Sequence, residues 1–436
     1  MSVETLTLEQ WLAHFEGQHG KDIDLGLERV GEVARRLGLM DGPLAPHVIT
    51  VAGTNGKGST VAMLDACARA AGLSTACYSS PHFLHYNERI ALDGRQATDA
   101  ELISAFERID AAQGEDPAIS LSYFEAGTLA AALLIRDQVP DLALLEVGLG
   151  GRLDAVNLFD ADVAVVTTIA LDHADYLGSD LNVIGQEKAG IMRAGKQAVL
   201  GSRELPPTVA QHALDIGVAQ CVQLGQQFDG ILQNTAQAPI AGKAGATQWQ
   251  WQGQSLSGAS LRLGSLDHPG LPLDNAASAL QALALIGLEP DQEMVNRAFD
   301  SIRLPGRMQK SGRWLLDVAH NPHAAHYVAS QLAHESQPRI GLLAMLGDKN
   351  ADDVISALSP VIDGWVCATI EGSRGRAGSD LAHRVEAQGG QVLAVAPTVQ
   401  VALDGIESNK TLAHRDVLVC GSFVTVAAAL KWLEKV

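Results

Sequence analysis

His47-Val48-Ile49-Thr50-Val51-Ala52-Gly53-Thr54-Asn55-Gly56-Lys57-Gly58-Ser59-Thr60 decides the reading of this chain. Val48, Ile49 and Val51 are β-branched residues in a continuous apolar run, the pattern of a parallel strand buried on both faces. Beyond Ser59, Val61, Met63, Leu64, Cys67, Ala68 and Ala71 fall at helical spacing. A strand, a glycine turn and a helix start therefore follow in order. Lacking Cβ atoms, Gly53, Gly56 and Gly58 let the backbone turn sharply and aim N–H groups at an anion, with the helix dipole assisting. Lys57 would reach the outer phosphates of a polyphosphate, and Ser59 would face a magnesium ion. The match to G-x-x-x-x-G-K-[ST] is imperfect: Val51 stands in place of the first glycine, and the hydroxyl comes one residue late. A glycine turn that binds nothing is the competing reading, and the strand-to-helix context argues against it.

At 436 residues the chain exceeds what one hydrophobic core usually supports, so two domains are expected. A hydrophobic share of 47% and a charged share of 19% describe a globular protein with ample core. The net charge of −19 argues against a nucleic-acid partner, whose phosphates demand a basic face. A phosphate site in so acidic a chain has to be locally basic and metal-assisted. Cys67, Cys77, Cys221, Cys367 and Cys420 are odd in number and lack C-x-x-C spacing, which points to neither disulfides nor zinc and suits a reducing cytoplasm. Glu4, Glu9 and Trp11 stand where an export signal would be basic and then apolar, and no run approaches ~18 apolar residues, so no membrane association is expected.

Strands are expected at Val48 to Ala52, Ser74 to Tyr78, Leu142 to Val147, Val163 to Ile169 and Gln197 to Leu200, and helices at Ser59 to Ala71, Asp99 to Asp110 and Phe124 to Arg136. The alternation gives an α/β fold whose N-terminal unit is a P-loop ATPase-like, doubly wound parallel sheet. From Phe228 to Leu263 short polar alternations such as Trp249-Gln250-Trp251-Gln252 suggest a small, peripheral antiparallel hairpin region. A helix at Leu273 to Leu285 precedes Arg303-Leu304-Pro305-Gly306-Arg307, whose Pro-Gly pair marks a linker. Trp314 to Val318, Ile340 to Leu346, Gly364 to Ala368, Gln391 to Ala394 and Val417 to Cys420 then read as strands of a smaller C-terminal Rossmann-like α/β domain. The expected division is 1–300, a linker at 301–312, and 313–436.

Ligands of such sheets bind at the carboxyl ends of strands, so the polar residues there matter most. Pro81 keeps Ser80 out of helical conformation in Tyr78-Ser79-Ser80-Pro81-His82, placing a hydroxyl beside the phosphate loop. Glu146 ends an apolar run, where a carboxylate is costly unless paired or metal-bound. Magnesium takes oxygen ligands, so Glu146 and Ser59 could both serve it. His173 follows the next strand in Leu171-Asp172-His173, and on its own it would more often be a structural hydrogen-bonder.

These segments, with Glu187-Lys188-Ala189-Gly190-Ile191, Leu304-Pro305-Gly306-Arg307 and Asp317-Val318-Ala319-His320-Asn321-Pro322-His323, resemble the folylpolyglutamate synthase family in order and spacing from Asp24 to Phe423. Asp24-Leu25-Gly26-Leu27, Ser122-Tyr123-Phe124-Glu125 and Leu153-Asp154-Ala155 resemble the dihydropteroate-binding segments of its bacterial bifunctional branch, which also has dihydrofolate synthase activity. The resemblance implies an ATP-dependent amide ligase related to the Mur ligases, joining L-glutamate to dihydropteroate and to tetrahydrofolates through an acyl phosphate. It implies ATP as co-substrate, Mg2+, a monovalent cation such as K+, and a monomer.

Position by position, Ser59 and Ser80 resemble ligands of one magnesium, while Glu146 and His173 resemble residues holding metal between ATP and acyl phosphate. Lys188 matches a lysine the family carries as a carbamate, since a bare ammonium beside two cations would repel them. Gly56, Lys57, Gly58 and Ser59 form the phosphate loop, Arg307 matches a phosphate contact, Asp317 a nucleotide contact and Asn275 the adenine-side residue, for which helix capping by Asp274 or Asn275 is an equal reading. ATP would then lie between the domains, and closure would exclude water. His320 and Ser422 resemble positions near incoming glutamate, although His320 and His323 read equally well as polar residues at a helix end. Tyr123 and Phe124 offer flat surface to a pterin and Asp154 an acceptor, whereas Phe124 alone reads better as a core ring. Val156 and Asn350 depart from the family pattern at places that bear on substrate preference and on the domain interface, not on the reaction class. A monofunctional folylpolyglutamate synthase, a Mur-type peptide ligase and a nucleotide-gated binding protein remain the alternatives.

Overall fold

The computed structural model describes residues 6–21, 23–233, 248–333 and 339–435, and all statements of structure concern these. The quoted apolar run forms β1 (His47–Ala52), the centre of an eight-stranded sheet. Its companions are β2 (Thr75–Tyr78), β3 (Ile90–Leu92), β4 (Arg95–Gln96), β5 (Leu142–Glu146), β6 (Val163–Val166), β7 (Gln197–Leu200) and β8 (Gln220–Gln223). The order is β4-β3-β2-β5-β1-β6-β7-β8, with six parallel strands and β3 and β4 antiparallel at one edge. Alternate residues feed opposite cores: Val48 and Ala52 join Ala143, Leu145, Ala164 and Val166 on one face, while Ile49 and Val51 join Leu142, Leu144, Val163 and Val165 on the other. That two-sided burial is why the strand text is apolar without alternation. After β1 the chain crosses to β2 on one side, and after β5 it reaches β6 on the other, so a crevice opens at the carboxyl end of β1.

The polar alternations after Phe228 belong to a three-stranded antiparallel sheet of β9 (Asp229–Leu232), β10 (Gln248–Gln254) and β11 (Ser260–Asp267). It is less peripheral than its composition suggests. Trp249 and Trp251 are fully buried in the main core, and the Trp251 indole donates to the Ala277 carbonyl at 3.2 Å. The part of that segment at 234–247 lies outside the described residues.

A second sheet contains β12 (Gln309–Ser311), β13 (Trp314–Leu316), β14 (Arg339–Leu343), β15 (Gly364–Ala368), β16 (Val392–Ala396) and β17 (Asp416–Cys420), in the order β12-β13-β17-β14-β15-β16. All are parallel except β12, an antiparallel edge strand. Because β12 falls within 301–312, that stretch is linker only up to its last residues: the second sheet begins before residue 313. Two helices, Leu8–Gln18 and Glu28–Arg36, precede β1. Among the described residues no helix is long and apolar enough to cross a membrane.

Candidate active site

The loop after β1 is pinned from beneath. Thr54 N–H donates to the Thr168 carbonyl at 2.7 Å, Asn55 N–H to Thr168 Oγ1 at 3.0 Å, and Thr167 Oγ1 to the Asn55 carbonyl at 2.7 Å. A Cβ on Gly53 would sit 1.8 Å from Thr167 Oγ1, so glycine is needed for this close approach. Gly56, at φ 90°, starts the helix Lys57–Ala70. Lys57 folds over the loop, its Nζ donating to the carbonyls of Gly53 at 2.9 Å and Thr54 at 3.3 Å. Burial pushes its ammonium pKa down, against the opposing charges of Glu146 and Asp172.

Glu146 ends β5 and is 5% exposed, with no ion pair among the described residues. Burial raises its pKa, while Lys57 and Arg307 pull the other way. β6 stops at Val166, three residues short of the expected Ile169, which frees Thr167 and Thr168 to hold the phosphate loop. His173 follows at φ 51°, its imidazole pushed down to about 4 by burial against the opposing pull of Asp172. Lys188 lies in the last turn of the helix Leu181–Ala189, 4% exposed, with no side-chain acceptor among the described residues. Burial, helped by the charge of Lys57, brings its pKa down to about 7. The glycine segment after β5 leans on that helix, Arg152 N–H donating to the Glu187 carbonyl at 2.8 Å.

Across the crevice stand residues of the second sheet and its approach. Asp317 is fixed by N–H groups of Met308 and Ala319, each at 2.9 Å, and burial raises its pKa. Arg307 is half-buried near Asp317 and Glu146 and lies over the Phe423 ring at 5.1 Å. His320 Nε2 is 3.2 Å from Asp172 Oδ2, and Lys349 Nζ donates to Asp172 Oδ1 at 2.5 Å. Burial alone would raise Asp172, but the His320 bond and the charges of His320, His173 and Lys349 hold it far below the carboxylate range. The side-chain amides of Asn55 and Asn321 exchange two bonds, at 3.2 and 2.9 Å.

A cavity of about 1050 Å³ joins these groups. Gly56, Lys57, Gly58, Ser59, Ser80, Glu146, His173, Lys188, Asn275, Arg307, Asp317 and His320 all line it, as do Asp24, Leu25, Gly26, Ser122, Phe124, Glu125, Leu153, Asp154 and Ala155. Leu27, Tyr123 and Ser422 do not. Tyr123 packs on Tyr86 and beneath Arg89, and Ser422 caps the helix Phe423–Leu433 by accepting from Thr425 N–H at 3.0 Å.

Several wall residues have other work. Ser122 and Glu125 form the reciprocal capping box of the helix Tyr123–Gln138. Asp24 pairs with Arg29 at 2.7 Å. Asp154 accepts from Leu149 and Val156 N–H, each at 2.9 Å, and burial brings its pKa up to about 6, so it is first a backbone clamp. Phe124 fits the core reading in part: it packs against the core beside Tyr78, yet it is half-buried in the cavity wall, its ring resting on Gly148, where a Cβ would meet it at 2.6 Å. The helix Leu273–Leu285 begins at Pro272 without a side-chain cap, so Asn275 is not a cap; it lies against Gly56. Asn321 caps the helix Pro322–Leu332, leaving His320 outside it and His323 in its first turn. Asp172, Lys349 and Asn321 were not singled out from sequence, although Asp348-Lys349 beyond β14 is itself a polar strand end.

Among the described residues no three His, Cys, Asp or Glu side chains cluster as a ready-made metal site. The donors here are one unpaired buried carboxylate, an imidazole and two hydroxyls, a set that fits a hard cation retaining several waters.

A phosphate loop on one sheet facing an Arg–Asp pair on another is the architecture of an ATP-dependent ligase of the Mur type, and residues 51–201 match the Mur ligase middle domain while 306–423 match the Mur ligase, glutamate ligase domain. A dihydrofolate synthase/folylpolyglutamate synthase of Escherichia coli (strain K12) is 41% identical over 434 residues, covering 98% of this chain and 96% of that one. The structure of E. coli FolC in complex with DHPP and ADP superposes with a TM-score of 0.88 at 39% identity, over 99% of this chain and 98% of that one. A bifunctional folylpolyglutamate synthase/dihydrofolate synthase with Mn, AMPPNP and L-glutamate bound gives 0.85 at 39% identity, over 99% and 98%. The chain belongs to the dihydrofolate synthase/folylpolyglutamate synthase family.

Proposed function

We propose that this chain joins L-glutamate to 7,8-dihydropteroate, and further glutamates to tetrahydrofolates, at the expense of ATP. The observation that carries the reading is that Glu146 and Lys188, both buried and neither in an ion pair among the described residues, line one cavity walled by the phosphate loop on one side and by Arg307 and Asp317 on the other. A carboxylate oxygen of the pterin substrate attacks the γ-phosphorus of ATP, the bond to ADP breaks, and an acyl phosphate forms. The amine of glutamate then attacks the acyl carbon, phosphate leaves, and the nitrogen gives up a proton. Lys57 and Arg307 neutralise charge that builds on the transferring group. Asn275 lies on the adenine side and Asp317 orients the nucleotide from the second domain.

Ser59, Ser80, Glu146 and His173 would hold Mg2+, which when bound screens the phosphate oxygens. Lys188, with a pKa near neutrality, has the free amine needed to take up CO2 as a carbamate. Phe124 gives the pterin a flat wall, and His320 stands where glutamate enters. We take the chain to act as a cytoplasmic monomer, with K+ as a supplementary cation, its two units meeting near 301–312.

The test is ADP release by purified protein with ATP, Mg2+ and glutamate, comparing dihydropteroate, tetrahydrofolate and a muramyl substrate. Turnover with both pterins supports the reading. Turnover with tetrahydrofolate alone makes the protein monofunctional, and turnover with only the muramyl substrate overturns it.

A further inference from the structure

Asn321 is 3% exposed and accepts from Ala324 N–H at 3.0 Å, capping the helix Pro322–Leu332. The cap uses only its Oδ1, and a serine or an aspartate would cap equally well. What an amide adds is a donor: Asn321 Nδ2 donates to Asn55 Oδ1 at 2.9 Å, and Asn55 Nδ2 donates back to Asn321 Oδ1 at 3.2 Å. Because the cap fixes which end of the Asn321 amide is oxygen, it also fixes the orientation of its partner. Asn55 is anchored just as firmly. Its N–H donates to Thr168 Oγ1, and its carbonyl accepts from the hydroxyls of Thr167 and Thr168, so its side chain starts from a fixed point of the phosphate loop. The pair, 266 positions apart in sequence, ties the loop after β1 to the segment after β13.

The bridge spans the two halves of the reaction. Lys57 lies just beyond Asn55 in the chain, and Asp317 and His320 come just before Asn321. The other contact across the crevice, Asp172 with His320 and Lys349, is charged, and it faces a site whose own charge is redistributed as phosphate is transferred. A neutral amide pair is indifferent to that change. We propose that Asn55 and Asn321 are a positioning pair that holds the second domain in register with the phosphate loop, so that the amine of glutamate reaches the acyl phosphate before water does. They act through the segments they tie together, and a misplacement of about 1 Å in such a step costs on the order of 100-fold. With the bridge broken, water attacks the acyl carbon in place of the amine, phosphate leaves and the substrate carboxylate is regenerated. ATP is then consumed without an amide. The proposal rests on the reading of this chain as a pterin–glutamate ligase.

The test counts ADP and amide product together, with ATP, Mg2+, L-glutamate and either dihydropteroate or tetrahydrofolate, in wild type, Asn321→Ser, Asn55→Ser and the double variant. Serine keeps the helix cap but is too short to reach the partner amide, so Asn321→Ser should melt close to wild type. Should it melt early, Asn55→Ser, which leaves the cap intact, gives the same reading. Wild type should release one ADP per amide. Each single variant should form amide roughly 10- to 100-fold more slowly and release several ADP per amide. The double variant should be no worse than the poorer single one, since all three break the same bridge. One ADP per amide in either folded single variant, whatever its rate, makes the pair structural and the proposal fails alone; so do losses that multiply in the double variant. If wild type forms no amide with either pterin, the functional reading falls with it.

Discussion

Lys188 is a buried amine with no side-chain acceptor among the described residues, and its pKa near 7 leaves a large neutral fraction at physiological pH. Lys188→Ala should lower turnover by roughly 100-fold or more, and short carboxylic acids should restore part of it. Full activity in that variant removes the carbamate from the mechanism. His173 carries a second expectation. Its folded pKa is depressed from 6.5 to about 4, so the stability it contributes is present above pH 6.5 and is lost as pH falls toward 4. Thermal melts of His173→Asn should show a flatter loss of Tm across that window than wild type. Single residues were legible where local text set them apart: Glu146 ends an apolar run, and Lys57 sits between glycines. Asp172 and Lys349 were not, because their meaning lies in a bond between residues 177 positions apart.

The strand–loop–helix element at β1 was readable because its apolar run, glycines and helical spacing all lie within one window. The length of β6 was not: Thr167 and Thr168 look like strand residues, yet their hydroxyls are taken by the neighbouring loop. Ser122 and Glu125 show the converse, a local capping pattern whose residues also line the cavity. Gly56 gives this scale its prediction. An added Cβ would require a left-handed backbone at φ 90° and would lie 2.7 Å from Asn275 Oδ1. Gly56→Ala should therefore cost about 1–2 kcal/mol of stability from backbone strain and weaken ATP binding by displacing Asn275. A lowered Tm with unchanged ATP affinity would separate the loop from the adenine side.

At the scale of the molecule, two sheets in sequence were legible from alternating strands and helices, with the Pro-Gly pair between them. How they meet was not, since the contacts pair residues from opposite ends of the chain. Asp172 is held by His320 and Lys349, and Asn55 by Asn321. Asp172→Ala should leave buried Lys349 with only its longer contact to Asp348 at 3.5 Å, free His320 from its partner, loosen the contact between the two sheets and lower turnover. Small-angle scattering with an ATP analogue should then report a larger radius than wild type, and an unchanged radius would deny Asp172 a part in closure.

The central claim is that closure assembles a site where a substrate carboxylate is phosphorylated before glutamate attacks. The direct measurement uses pterin substrate labelled with 18O in that carboxylate, turned over with ATP and L-glutamate, followed by mass analysis of the inorganic phosphate. One 18O should appear in phosphate for each amide bond formed. Amide formation with unlabelled phosphate would contradict the acyl phosphate.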